Sequence, residues 1–169
     1  HSWSNNSSSP WKITTSQPYE GTYAVRSGSI GNTANSSLSI THTNSADDTL
    51  SFYYKVSSEE GYDFLRFYVD GSVVENWSGE INWTRYSILI PAGTHTFKWQ
   101  YSKDNYMSAG RDMAMLDYIS FPCINKATGI EDLDESGITA LPNPTADIIQ
   151  VMLPEDVDFS NTTLQLFDL

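Results

Sequence analysis

The side chains best suited to chemistry are carboxylates gathered in two short segments and a set of aromatic rings. Glu59, Glu60 and Asp63 crowd into Ser57-Ser-Glu-Glu-Gly-Tyr-Asp63. Asp104 and Asp112 bracket Ser102-Lys-Asp-Asn-Tyr-Met-Ser-Ala-Gly-Arg-Asp112, which also holds Tyr106. Two carboxylates are enough for a glycosidase, and loops between strands are where recognition residues collect. Glu59, Asp104 and Tyr106 are therefore candidate ligand-binding residues, with glycan hydrolysis as the catalytic alternative and an acid-rich, merely soluble loop as the structural one.

Asp117 stands apart because it lies in an apolar strand, Ala114-Met-Leu-Asp-Tyr-Ile119, and the alternation puts it on one face with Met113, Met115 and Ile119. A charge among apolar neighbours must be paired, hydrogen-bonded or bound to a metal. Calcium suits such a position, because it takes six to eight oxygens from carboxylates and backbone carbonyls. Glu20, in Tyr19-Glu-Gly-Thr-Tyr23, is the second candidate ligand of a structural Ca²⁺; the alternative is a salt bridge from Asp117 to Arg26 or Arg111.

Rings are the other recognition chemistry. Trp77 and Trp83 flank Ser78-Gly-Glu-Ile-Asn82, and Tyr53 and Tyr68 alternate away from apolar neighbours. Exposed planar rings stack on sugars or on a protein partner, unless other strands cover them. Nucleophilic catalysis finds little support. His1, His42 and His95 are the only imidazoles, and His95 shares a strand face with Phe97 and Trp99, which reads as a partly buried structural side chain rather than a base. Neither G-x-S-x-G nor H-E-x-x-H occurs. With Cys123 the single cysteine, an intrachain disulfide and a Cys-based zinc site are excluded.

The elements that must position these residues are strands. Leu50, Phe52, Tyr54 and Val56 alternate with Ser51, Tyr53 and Lys55, as one buried face requires. Leu65, Phe67 and Val69 repeat the pattern, and Asp70-Gly71 joins them to Val73 and Val74 as a hairpin. Further strands are expected at 11–14, 22–27, 37–41, 85–90, 94–101 and 113–121, with Pro91-Ala-Gly93 as a turn. No segment has a sustained helical period. Eight or nine antiparallel strands in about 120 residues predict an all-β sandwich, most simply a jelly roll, with Leu50 to Val56 and Phe97, Trp99 and Tyr101 supplying inner rings.

Length and charge bound the rest. The chain has 169 residues, 21 acids and 9 bases, for a net charge of −12. Such a balance disfavours nucleic acid and anionic membrane surfaces as partners, and no apolar run reaches the length of a membrane span. Residues 1–123 hold 12 acids and 8 bases, whereas 124–169 hold 9 acids and Lys126. The boundaries expected are a sandwich at 1–123, an acidic linker at 124–138 and a short β segment at 139–169. The start at His1 reads as an excised or processed piece.

Residues 10–122 resemble a known group in combination: Leu50-Ser-Phe-Tyr-Tyr-Lys-Val-Ser-Ser-Glu59, Tyr62-Asp-Phe-Leu65, Phe67-Tyr-Val-Asp-Gly71, Gly93-Thr-His-Thr-Phe-Lys-Trp99, Tyr101-Ser-Lys-Asp104 and Leu116-Asp-Tyr-Ile119. They are similar to the jelly-roll accessory modules of bacterial surface and secreted proteins, namely the cleaved-adhesin domains of gingipains and, more distantly, MAM-type domains. The resemblance implies a non-catalytic module, often attached to a peptidase or repeated in a large adhesin, with calcium sites in which a last-strand Asp corresponds to Asp117. The segment Ala140-Leu-Pro-Asn-Pro-Thr-Ala-Asp-Ile-Ile-Gln-Val151, with Thr163-Leu-Gln-Leu-Phe-Asp168, resembles the opening of a type IX secretion C-terminal sorting domain, although Leu141 stands where Tyr is common. Together these readings imply a secreted or surface binding module for a host glycan or extracellular protein, joined to a truncated sorting segment. The alternative is a ligand-free structural domain accessory to a secreted peptidase in the same precursor.

Overall fold

The computed structural model describes residues 3–5 and 8–122, and the backbone of two further strands. The chain divides into two compact units, His1–Asn125 and Lys126–Leu169. In the first, ten strands run β1 (Trp3–Asn5), β2 (Lys12–Thr14), β3 (Ala24–Arg26), β4 (Asn35–Asn44), β5 (Asp48–Ser57), β6 (Phe64–Val69), β7 (Ser72–Trp77), β8 (Glu80–Ile90), β9 (Gly93–Ser102) and β10 (Met113–Ser120). They form two five-stranded sheets, β1-β4-β9-β6-β7 and β2-β3-β10-β5-β8, and every pairing is antiparallel. In the second unit β11 (Thr139–Pro142) pairs antiparallel with β12 (Ile149–Met152). The expected boundaries at 123/124 and 138/139, and most of the acidic run, lie outside the described residues.

Alternation explains the layers. Leu50, Phe52, Tyr54 and Val56 of β5 face Leu65 and Phe67 of β6 and Phe97, Trp99 and Tyr101 of β9, all of them buried. Phe52 sits at the centre of the rings, 5.1 Å from Phe67 and 5.3 Å from Trp99, in edge-on geometry with both. Such pairs add about 0.5–1.5 kcal/mol each beyond the area they bury. The β6–β7 hairpin turns through Asp70 (φ 50°) and Gly71 (φ 82°), the two positive-φ positions of a type I′ turn. Asp70 also fixes His95: its carboxylate accepts from Nδ1 at 2.7 Å and from the Thr96 amide at 2.8 Å. Those contacts, the Thr96 amide first and His95 second, hold the Asp70 carboxyl below the ordinary carboxylate range. His95 is thus a half-buried structural imidazole, as its strand position implied.

Three expectations need correction. Ile119 does not share a face with Met113, Met115 and Asp117. A register shift between Asp117 and Ser120, with Tyr118 at φ 48°, turns Ile119 toward the main core. Trp77 is not a solvent-side ring. It lies opposite inward-facing Leu65, stacks on Tyr54 at 4.1 Å and packs against the core. Asp117 pairs with neither Arg26 nor Arg111; its partners are backbone amides, described next.

Candidate functional site

The second sheet presents an outer face on which the residues between the inward ones of β5 and β10 are displayed. Cross-strand partners share a face, so register gives the layout directly. Lys12 pairs with Arg26, Arg26 with Met115, and Met115 with Lys55. A neighbouring row runs Asp117, Tyr53, Arg85. Met113, Met115 and Ala24 form a small buried cluster on this side, with Trp83 packed against it.

Residues 17–20 fold over that face. The Asp117 Oδ2 accepts the amides of Tyr19 at 2.8 Å and Glu20 at 3.3 Å, while Oδ1 accepts the Tyr118 amide at 2.7 Å. The Trp83 Nε1–H donates to the Gln17 carbonyl at 3.0 Å, and Lys55 Nζ donates to Gln17 Oε1 at 3.0 Å. The Tyr19 ring stacks on Tyr53 at 3.6 Å, edge-on to Trp83 at 6.2 Å, and Tyr118 meets Tyr53 at 6.3 Å. Hydrogen bonding to Tyr53, then desolvation, raises the Tyr19 phenol above its ordinary value. Beside these rings lies a groove of about 310 Å³ lined by Gln17, Lys55, Ser57, Glu80, Ile81, Asn82, Arg111 and Met113. A second groove, of about 370 Å³, contains Lys12 and Arg26.

Gly110 packs against Ser57 and Glu80, two residues of the first groove. It has φ +71°, and a Cβ there would come within 2.5 Å of Glu80 Oε1 and 2.7 Å of Ser57 Oγ. Ser57 Oγ links the two walls, donating to Glu80 Oε1 at 2.6 Å and accepting the Arg111 amide at 2.8 Å.

The two acidic loops meet in a separate cluster, where Glu59, Asp63 and Asp104 bring carboxylate oxygens within 4.8 Å of one another. Lys103 joins it through Asp63, its Nζ 3.2 Å from Asp63 Oδ2, 2.5 Å from Asp112 Oδ1 and 2.8 Å from Ser108 Oγ. Asp63 is fully buried and also accepts the Asp104 amide at 2.9 Å. Burial acts to lower the Lys103 pKa, but hydrogen bonds to Asp112 and Asp63 outweigh it and raise it. Glu59 is pushed the other way for a carboxylate: desolvation, then Asp104 and Asp63, raise its pKa. Tyr106 is exposed beyond this cluster, and its amide donates to Asp104 Oδ1 at 2.8 Å.

The candidates therefore separate. Trp83 and Asp117 belong to the outer face, Glu59 and Asp104 to the Lys103 cluster, Tyr106 to an exposed turn and Trp77 to the core. Asp117 and Glu20 do not fit a calcium site as placed. Asp117 is surrounded by N–H donors, where the ion needs lone pairs, and Glu20 contributes its amide while its side chain is exposed. Sequence reasoning named Arg26 and Arg111 only as salt-bridge partners of Asp117 and gave no binding role to Gln17, Tyr19 or Lys55. Of these three Lys55 had a visible signal, since it alternates with Tyr53 along β5.

Two antiparallel sheets packed through alternating rings, with one outer sheet face bearing rings, amides and charges, define a β-sandwich of the jelly-roll type. No protein-family model matches the chain, and no curated protein matches it. Among solved structures it is similar to the secreted serine protease VesC from Vibrio cholerae, at 16% identity and TM-score 0.51, over 66% of this chain and 24% of that one. Also similar are the CBM22-1 xylan-binding domain of Paenibacillus barcinonensis Xyn10C (16% identity, TM-score 0.46, 69% and 82% of the two chains) and the K3 cleaved adhesin domain of Lys-gingipain from Porphyromonas gingivalis w83 (12%, 0.44, 64% and 89%). The chain thus spans about a quarter of the protease structure, and at these identities the likeness is one of fold.

Proposed function

We propose that the first unit is a non-catalytic, extracellular binding module that holds a glycan on the outer face of the β2-β3-β10-β5-β8 sheet. The observation that carries this reading is the stacked pair Tyr19 and Tyr53, with Trp83 edge-on, beside a groove whose walls offer the Gln17 and Asn82 amides and the Lys55 and Arg111 cations. Rings that bind a sugar face, next to side chains that bind its hydroxyls, are the combination a small-ligand site needs. Hydrolysis has less support there. Among the described residues Glu80 is the one carboxylate lining the groove, whereas glycosidases use a pair.

The test is a panel of polysaccharides assayed by affinity electrophoresis and thermal shift with the full chain. A bound glycan raises the melting temperature by mass action, and Tyr19→Ala weakens its binding. A chain that no glycan stabilises would instead be the structural domain of a larger secreted protein, such as a peptidase precursor. We also propose, from its sequence pattern alone, that 139–169 is a sorting segment. That reading predicts that appending residues 139–169 to a reporter directs its surface display in a bacterium with type IX secretion.

A further inference from the structure

The chain carries a net charge of −12, yet its cations are not scattered. Of the eight in residues 1–123, five lie on the outer face of the second sheet: Lys12, Arg26, Lys55, Arg85 and Arg111. None of these five forms an ion pair with an acid among the described residues, where the ion pairs are His95–Asp70, Lys103–Asp63 and Lys103–Asp112. The cations elsewhere are engaged. Arg66 lies over the Phe64 ring, Lys98 over Tyr68, and Lys103 is buried between carboxylates.

Of the acids near this face, Asp117 accepts three amides and Glu80 accepts from Ser57, while the exposed Glu20 side chain forms no ion pair with any of the five cations. In a protein with more than twice as many acids as bases, five cations on one face with no acid partner point to a negative charge supplied from outside. Lys12 and Arg26 lie on neighbouring strands, about 4.8 Å apart across the sheet, and Lys55 lies two strands beyond Arg26, with Met115 of β10 between them.

We propose that the ligand of this face is a polyanionic glycan, bearing carboxylate or sulfate groups that pair with Lys12, Arg26, Lys55, Arg85 and Arg111 while its rings stack near Tyr19. The inference rests on the glycan reading above and specifies its substrate class. The rings favour a polysaccharide over an acidic peptide, because the exposed Tyr19 ring, backed by Tyr53 and Trp83, offers a planar surface beside the cations. Arg suits both charged groups, since its planar fork binds carboxylate and sulfate in two-point geometry.

The experiment measures binding of the full chain to dextran, xylan, polygalacturonate, dextran sulfate and poly-glutamate by affinity electrophoresis and calorimetry, at low and high salt. The expected result is binding of polygalacturonate or dextran sulfate, weakened roughly tenfold or more between about 50 mM and about 500 mM NaCl as counterions compete. Arg26→Glu with Lys55→Glu abolishes it without moving the melting temperature by more than about 2 °C. The tighter of the two polyanions identifies the charged group. Equal, salt-insensitive binding of dextran or xylan would overturn the polyanion inference and leave the glycan reading intact. Poly-glutamate bound as tightly as the polysaccharides would overturn the glycan assignment in favour of charge alone. Failure of every polysaccharide to bind would overturn both.

Discussion

Lys103 and Lys55 are the same residue type in two opposite settings. Lys103 is buried, with its ammonium held by Asp63, Asp112 and Ser108. Lys55 is half-exposed on the outer sheet face, with a neutral amide, Gln17, as its partner. The difference teaches that in an acidic chain a cation already satisfied by carboxylates is part of the fold, while one left without an acid is available for recognition. The same contrast separates the two groups of acids: those around Lys103 close a loop junction, and Asp117 pins residues 17–20 over the binding face.

Breaking the two settings should have very different consequences. Lys103→Met leaves Asp63 buried without its cation and should cost about 3–5 kcal/mol, comparable to the roughly 3–5 kcal/mol expected for Trp99→Ala in the ring core. Lys55→Glu should change stability by about 0.5 kcal/mol or less, as surface substitutions usually do. Chemical denaturation of the three variants checks the ordering. A Lys103→Met protein as stable as the wild type would mean that the buried network contributes nothing.

On the recognition side the expected effects are smaller. Tyr19→Ala removes one ring from the Tyr19–Tyr53 stack and should weaken glycan binding by roughly threefold to tenfold, measurable by calorimetry, while Tyr106→Ala, an exposed ring beyond the Lys103 cluster, should leave the affinity unchanged. Equal losses in both would shift the site toward the loop end.

Glu59, at the edge of the Lys103 cluster, makes stability depend on pH. Its carboxyl has a raised folded-state pKa, so the folded protein holds that proton more tightly than the unfolded chain. The associated stability is present at low pH and lost as pH rises through the folded pKa. Glu59→Gln should therefore raise the melting temperature at neutral pH, with the gain fading as pH falls below the ordinary glutamate range. A destabilised Glu59→Gln at pH 7 would show that the charged form is needed, as a bound cation would require.

The smallest expected effect is that of calcium. Because three amide donors occupy the Asp117 carboxylate, any shift of the melt on adding calcium or EDTA should be the same in Asp117→Asn as in the wild type. A calcium-dependent rise of several degrees that Asp117→Asn abolishes would restore the ion expected there from sequence.

The fold was readable because period-two alternation in β5, β6 and β9 marks the inward rings, and Asp70-Gly71 marks a hairpin. What escaped has local causes. β1 is three exposed residues with no alternation to detect. The early part of β8 is hidden because a register shift opposite Lys55 breaks its pattern around Asn82 and Trp83. The site was half legible. Tyr53, Lys55 and Trp83 occupy outward positions a reader can count, but the ring that stacks on Tyr53 belongs to Tyr19. That residue is fixed by a hydrogen bond to Asp117, 98 residues away. Trp77 misled because it flanks the same Ser78–Asn82 segment as Trp83, and only pairing with Leu65 reveals which way it points.

Amide chemical-shift mapping during titration with polygalacturonate or dextran sulfate locates the ligand on the molecule. A ligand on the outer face of the second sheet perturbs residues 17–21 and β3, β5 and β10; shifts confined to β4, β6, β7 and β9 would put it on the other sheet and rule this face out.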